Sequence, residues 1–278
     1  MSFAETALLG ALAGGTIFLS LPFGRLPALS SKARVALAMF AVGVLSFLFV
    51  DVLGHGFQIV EGAVNRYSDG TGSFGRAALL TALLGGGFAL GCAGLGSFEQ
   101  RVRPKRPPIA GGATPALASG VAGEAMPRAR ALQTAMTVAA AIGLHNFAEG
   151  LAIGVSAKAG EIGLATVLIV GFALHNATEG FGIVGPLGGV RPSWRWLGLA
   201  GLIGGGPTFI GSMIGYTVSS DALELAFYAL AGGAILYVIG EVWQAMRRVG
   251  HRELGLWLLS LGFIVGVVTD MVVAYGGG

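Results

Sequence analysis

A polar pattern, Leu-His-Asn-x-x-Glu-Gly, occurs twice in the apolar second half of this 278-residue chain. The two copies cover residues 144–150 and 174–180, so they are separated by 30 residues. In each copy the histidine and the glutamate are four positions apart, and side chains at that spacing stack on one face of an α-helix. The pattern therefore predicts two His–Glu pairs on helices. They are His145 with Glu149 and His175 with Glu179.

These residue types are ones that bind divalent metal ions. Neutral imidazole and carboxylate are good ligands for zinc and similar ions, and two carboxylates offset the charge of a divalent cation. The short connection at 158–161 predicts that the two helices are antiparallel neighbours whose polar faces meet. Asn146 and Asn176 add neutral oxygens on an adjacent face. A lone intramembrane histidine or asparagine can instead hydrogen-bond to a neighbouring helix, but identical spacing in both copies favours a joint site.

The rest of the chain is too apolar for a soluble globular protein. Charged residues make up 11%, hydrophobic residues 54%, and the mean hydropathy is +0.77, whereas ordinary soluble domains contain about 25% charged residues. The same composition excludes a disordered chain. Cys92 is the only cysteine, so an internal disulfide and a multi-cysteine zinc site are excluded. The net charge of +3 gives no indication of a nucleic-acid partner.

Apolar stretches of about 20 residues predict an all-α integral membrane protein with eight transmembrane helices. The predicted spans are 5–24, 34–61, 74–97, 130–157, 161–185, 194–219, 222–246 and 253–275. Of the 17 Lys and Arg residues, 14 lie in the first, third, fifth and seventh connections, and such residues prefer the cytoplasmic side. Both termini are therefore predicted to be extracytoplasmic, in a multi-pass protein of the cell membrane whose His–Glu pairs lie near the bilayer midplane.

The chain is predicted to form a single transmembrane domain over residues 1–278. Helices 1–3 occupy about 5–97, and helices 4–8 occupy about 130–275. The segment between them, 98–129, contains much Pro, Gly and Ala, which predicts a flexible cytoplasmic linker. The first span lacks the basic start of a signal peptide, so we expect a retained helix.

Glycine and proline add two expectations about helix shape and packing. Three glycines before Pro207 predict a bend or break in the sixth span. Glycines in the fourth and fifth spans are expected to let these two helices approach closely. The glycines concerned are Gly143, Gly150, Gly171 and Gly180.

Three further polar residues lie along a candidate ion route. Asp51 and His55 are four positions apart in the outward-running second span. They are interpreted either as an access route that attracts the cation or as hydrogen-bonding partners of neighbouring helices. Glu241, near the cytoplasmic end of the seventh span, is expected either to receive the ion as it leaves or to pair with a nearby cationic residue.

The paired motifs, eight spans and external termini resemble the ZRT/IRT-like (ZIP) family of divalent-metal transporters. The family pattern is usually His-Asn-x-Pro-Glu-Gly, and here Ala148 and Thr178 replace the proline. The resemblance implies a metal centre in the fourth and fifth helices, often binuclear in the family. It would place His145, Glu149, His175 and Glu179 in the first metal site. It would place Asn146 and Asn176 in a second site, with the glutamates bridging.

One position departs from the family pattern in the sixth span. Related sequences often have Glu-Pro there, and this chain has Gly206-Pro207. The second site would therefore lack one carboxylate. We expect that site to be weak or absent, which leaves a mainly mononuclear centre.

The resemblance implies an alternating-access carrier that moves divalent cations into the cytoplasm, with the metal ion as substrate and no organic cofactor. Zinc is the first choice because two imidazoles favour it over manganese, and Fe²⁺, Mn²⁺, Co²⁺ and Cd²⁺ also fit these ligands. No enzymatic activity is expected. The alternatives are an intramembrane metal-dependent hydrolase and a metal-independent proton-coupled carrier. The expected partners are the metal ion and the lipid bilayer, and a homodimer is compatible with the resemblance.

Overall fold

The computed structural model describes residues 1–26, 30–102, 115–160, 162–187, 190–217, 220–247 and 249–276. Within these ranges the side chains are described except at residues 102, 115–127, 162–168, 175, 272–274 and 276. The described residues form nine α-helices and no strand, which confirms the predicted all-α fold.

The helices follow one another along the chain with short connections. They are α1 (Phe3–Gly15), α2 (Ser31–Ser68), α3 (Phe74–Ala89), α4 (Leu95–Val102), α5 (Pro115–Ala159), α6 (Ile162–Val184), α7 (Trp194–Thr217), α8 (Asp221–Arg247) and α9 (Arg252–Gly276). Two 3₁₀ segments, Thr16–Leu19 and Leu21–Arg25, continue α1, and a third, Gly185–Leu187, follows α6. A π-helical turn at Leu90–Gly94 joins α3 to α4.

Each predicted span coincides with one of these helical stretches. Seven stretches among the described residues are long and apolar enough to cross a membrane, including the continuous one from Phe74 to Arg101. The fifth predicted span, 161–185, corresponds to the 23-residue helix α6. The two copies of the polar motif therefore lie on α5 and α6, as the sequence predicts.

The predicted linker is helical at both of its ends. Helix α4 extends to Val102 and α5 begins at Pro115, while 103–114 lie outside the described residues. Proline is favoured in the first turn of a helix, where its missing N–H costs nothing. The residues after it include many alanines, the strongest helix former. Only the central part of 98–129 therefore stays a predicted linker.

Helix α5 packs most extensively against α7, and glycines let the two backbones touch. A Cβ at Gly150 would overlap the carbonyl oxygen of Thr208 and lie 2.9 Å from the backbone nitrogen of Ser212. A Cβ at Gly143 would overlap the carbonyl oxygen of Ile203. Small residues allow this kind of close approach between membrane helices. The expectation that these glycines bring α5 and α6 together is wrong, because their contacts are with α7.

Gly180 on α6 has the same role with another neighbour. A Cβ at Gly180 would overlap the hydroxyl oxygen of Ser20 and lie 2.8 Å from the carbonyl oxygen of Ile17. Both residues belong to the region that follows α1. Each copy of the polar motif therefore ends on a glycine, and each glycine packs against a different part of the bundle.

Pro207 lies inside α7, which runs unbroken from Trp194 to Thr217. The predicted break in this span is therefore absent. Proline has no N–H, so the carbonyl four residues earlier, that of Ile203, loses its helical donor. Gly143 of α5 approaches that same carbonyl. The acceptor released by the proline thus lies in the α5–α7 interface.

Candidate metal centre

Three of the four predicted His and Glu ligands come together at the contact of α5 and α6. The Nε2 atom of His145 lies 2.9 Å from Oε1 of Glu149, one turn along α5. The same Nε2 atom lies 3.8 Å from Oε1 of Glu179 on α6. The exposed fractions of these side chains are 1%, 4% and 0%. The two motif helices thus present one imidazole and two carboxylates to a common, buried place.

Burying these groups is costly unless their charges are balanced. Two ionised carboxylates carry two negative charges, and a protonated imidazole balances one of them. A divalent cation balances both. A dehydrated site of this composition therefore favours a cation with two charges, and a bound cation must displace the proton that His145 shares with Glu149.

The geometry has to adjust slightly for the three groups to share one ion. No three His, Cys, Asp or Glu side chains among the described residues already have the spacing of a metal site. Two ligands on one tetrahedral zinc ion lie roughly 3.3–3.6 Å apart. The contact of His145 with Glu149 is shorter than this and its distance to Glu179 is longer. Shifts of about 0.5 Å, within the range of small rotamer changes, would bring all three to ligand distance.

His175, the fourth predicted ligand, lies on α6 one turn before Glu179. Its side chain lies outside the described residues. Its position on the helix follows from the same four-residue spacing that places His145 beside Glu149. Its role as a ligand stays a prediction.

Asn146 and Asn176 are fully buried, and each amide group is held by a neighbouring helix. The Nδ2 of Asn146 donates to the carbonyl of Gly204 on α7, at 2.9 Å. The Nδ2 of Asn176 donates to the carbonyl of Ala13 on α1, at 3.3 Å. The Oδ1 atom of each has no hydrogen-bond partner among the described residues. Each asparagine therefore offers one buried oxygen that can still accept a hydrogen bond or bind a cation.

Thr208 of α7 is a buried polar residue that the sequence analysis missed. Its side chain is 0% exposed, and its Oγ1 atom has no hydrogen-bond partner among the described residues. It lies where α7 crosses Gly14 of α1 and Gly150 of α5. A single threonine in an apolar helix commonly bonds to its own backbone, so its type and position gave no signal.

Asp51 and His55 lie together at the edge of a cavity of about 310 Å³. The Nδ1 atom of His55 is 3.7 Å from the Asp51 carboxylate and 3.0 Å from the Asp51 carbonyl oxygen. The His55 ring is half-exposed and stacks on Tyr228, with ring centroids 5.6 Å apart. The cavity is also lined by Gln58, Ile59, Gly62, Arg66, Asp221 and Glu224.

Asp51 connects this cavity to the buried centre electrostatically. Its carboxylate is close enough to act on both His145 and Tyr228. Tyr228 in turn also lies within reach of the charge of Glu149. The polar residues of α2 and α8 therefore form a series from a surface cavity towards the contact of α5 and α6.

A second buried carboxylate lies at the opposite end of α8. Glu99 of α4 is 1% exposed, accepts a hydrogen bond from the hydroxyl of Tyr237, and lies 3.5 Å from the Thr134 hydroxyl. The sequence analysis assigned Glu99 to the linker and therefore missed it. Glu241 is half-buried in α8, one turn after Tyr237. Its role as the residue that receives the departing ion stays a prediction.

Comparison with known proteins agrees with this centre. A family model described as a ZIP zinc transporter matches residues 115–239. Over 143 residues the chain is 34% identical to a protein named zinc transporter GufA from Myxococcus xanthus, covering 50% of this chain and 56% of that protein. Over 135 residues it is 29% identical to an Arabidopsis thaliana protein provisionally named a zinc transporter, covering 48% of this chain and 20% of the relative.

The matched segments thus span little more than half of the first relative and a fifth of the second. The family match covers both copies of the polar motif on α5 and α6. The helical stretches that can cross a membrane agree with a multi-pass membrane protein. From its motif helices, its apolar bundle and these relatives, the chain belongs to the ZIP family.

Proposed function

We propose that this protein moves divalent metal ions, zinc first among them, across the membrane into the cytoplasm. The observation that supports this most directly is the buried convergence of His145, Glu149 and Glu179 from two copies of one motif. The relatives' printed names as zinc transporters point in the same direction. The ion would be held by these three side chains together with His175.

The ion would compete with protons for this site. Metal ligands bind as neutral imidazole and ionised carboxylate, so binding releases protons. The direct contact of His145 with Glu149 would close the site when the pair shares a proton and open when an ion replaces it. Low pH is therefore expected to weaken metal binding.

Asn146 and Asn176 would supply oxygen ligands beside the first site. Their amide nitrogens are occupied by carbonyls of α7 and α1, so the orientation of each amide is set by its neighbour. Amide oxygens without thiolates favour hard and borderline divalent cations. A second ion at these oxygens would still lack the carboxylate that Gly206 replaces, which supports a mainly mononuclear centre.

The route would begin at the cavity beside Asp51 and His55, where carboxylates attract the cation. It would continue past Tyr228 to the centre and leave on the side of Glu241. Access from one side and then the other would come from rocking of one group of helices against another. Inward direction and this mode of movement are inherited from the family resemblance.

The test is zinc flux into proteoliposomes that contain a trapped zinc indicator. Removing the charge of one buried partner typically costs about 3–5 kcal/mol, so Glu149→Gln and Glu179→Gln are each expected to weaken zinc binding at least about 100-fold. The matched control is Glu253→Gln, which changes an exposed glutamate at the start of α9 and should leave flux unchanged. Normal zinc flux in both buried variants, when correctly folded, would refute the proposed site.

The same preparation separates the alternatives. Metal-dependent hydrolysis without zinc flux would favour the intramembrane hydrolase. Cargo movement that persists after chelation of all metal would favour the proton-coupled carrier. Competition by Fe²⁺, Mn²⁺, Co²⁺ and Cd²⁺ against zinc flux would then rank the metals.

Metal stoichiometry tests the expected effect of Gly206. Purified native protein should retain one tightly bound zinc ion per chain. A Cβ at Gly206 would meet no atom within 4 Å, so the variant Gly206→Glu can be made without overlap and is expected to bind a second ion. Two tightly held ions in the native chain would contradict the mononuclear centre. An unchanged single ion in Gly206→Glu would contradict a second site next to this position.

A further inference from the structure

A separate cavity of about 530 Å³ lies where α8 ends and α9 begins, against the first turns of α2. Its volume is within the range of about 300–1,000 Å³ that is usual for small-molecule sites. It shares no residue with the proposed metal centre. Its lining consists of Val35, Met39, Trp243, Met246, Arg247, Gly250, His251, Arg252, Gly255 and Leu256.

The cavity has a cationic rim and an apolar floor. Arg247 and Arg252 are exposed, and neither guanidinium forms an ion pair or hydrogen bond with any residue in the described part of the chain. Met39, Trp243 and Met246 form the floor. Guanidinium groups recognise phosphate through paired hydrogen bonds. Apolar side chains beneath them recognise hydrocarbon.

The turn between the two helices brings the two arginines to one rim. Gly250 and His251 have φ angles of 90° and 57°, in the left-handed region. Two such residues in succession reverse the chain, so Arg247 at the end of α8 and Arg252 at the start of α9 both reach the cavity. Arg252 also lies at a helix N-terminus, where backbone N–H groups favour an anion. The acidic residue of that turn, Glu253, does not line the cavity.

We propose that this cavity binds an anionic phospholipid, with the phosphate between Arg247 and Arg252 and the start of an acyl chain against Met39, Trp243 and Met246. The ends of two membrane-spanning helices lie at a membrane surface, which is the depth of lipid headgroups. Basic pockets between transmembrane helices bind acidic headgroups there. A soluble phosphate would use the rim and leave the apolar floor in contact with water, so a lipid is the occupant that matches both surfaces.

Quenching of Trp243 fluorescence by brominated lipid tests this proposal. The full chain is reconstituted in phosphatidylcholine vesicles that contain increasing fractions of dibrominated phosphatidylglycerol or of dibrominated phosphatidylcholine. The same titration on Trp243→Phe is subtracted, which removes the signal of the other tryptophans. We expect saturation at a low mole fraction with the anionic lipid and only gradual quenching with the zwitterionic one.

Removing the rim charges should abolish this preference. Each arginine near a membrane surface contributes about a fivefold gain in affinity for acidic lipid, so Arg247→Ala with Arg252→Ala should raise the half-saturating fraction about 25-fold. Arg195→Ala changes an exposed arginine at the start of α7, outside the cavity, and should have no effect. Equal quenching by both brominated lipids, or an equal loss in Arg195→Ala, would overturn the proposal.

Discussion

The variant Gly150→Ala tests whether the α5–α7 contact holds the metal centre in place. Gly150 is the last residue of the first motif copy, one position after Glu149. The added methyl group would overlap the carbonyl oxygen of Thr208 and approach Gly211 Cα to 3.0 Å. The obstacle is backbone on α7, so no side-chain rotation relieves it. The two helices must therefore move apart.

The displacement and its effect can be estimated from the structure. Clearing the Thr208 oxygen requires a separation of about 1 Å to restore ordinary van der Waals distance. A shift of that size would stretch the 2.9 Å hydrogen bond from Asn146 to Gly204 beyond the range of about 2.7–3.2 Å. Misplacement by about 1 Å typically costs roughly 100-fold in a site that depends on geometry. We therefore expect zinc affinity to fall about 100-fold.

The expected change in stability is smaller than the change in affinity. Overpacking costs about 1–3 kcal/mol, while replacing a helical glycine by alanine returns about 1 kcal/mol. The net destabilisation should therefore be at most about 2 kcal/mol. A variant that retains the fold but has lost zinc affinity is the signature of a displaced site.

The assay is zinc competition with a chromophoric chelator on purified protein, together with thermal unfolding of the same samples. Gly198→Ala is the matched control, since a Cβ at Gly198 on α7 would meet no atom within 4 Å. It should bind zinc like the native chain. Native zinc affinity and native thermal stability in Gly150→Ala would refute the close α5–α7 contact and its link to the site.

Three further variants test contacts of individual side chains. Asn146→Ala removes the donor to a buried carbonyl of α7 and should lower the free energy of unfolding by about 1–3 kcal/mol; an unchanged denaturation midpoint would contradict that contact. Tyr237→Phe removes the hydroxyl donor to the buried Glu99 carboxylate and should cost about 1.5–3 kcal/mol, measured as a lower melting temperature. Arg76→Ala breaks an ion pair with Asp221 in which both side chains are more than half exposed, so the unfolding free energy should change by no more than about 1 kcal/mol. A larger loss in that variant would show that solvent does not screen the pair.

The sequence by itself determined the helical stretches and the pairing within each motif. A span is set by about 20 apolar residues in succession, and a His–Glu pair is set by the four-residue repeat of the helix. Both properties are local, so α5 and α6 and the contact of His145 with Glu149 follow from residue order alone. The short connection between the helices then made the approach of Glu179 to His145 a reasonable expectation.

The tertiary structure alone decided which helices pack against one another. Glycines on many spans offer similar small surfaces, so the sequence does not tell that Gly150 meets α7 and Gly180 meets the segment after α1. It also does not tell that carbonyls of α7 and α1 hold Asn146 and Asn176, because every helix offers the same backbone acceptors. Periodicity encodes the direction of a side chain from its own helix axis, whereas its partner depends on the arrangement of the whole bundle.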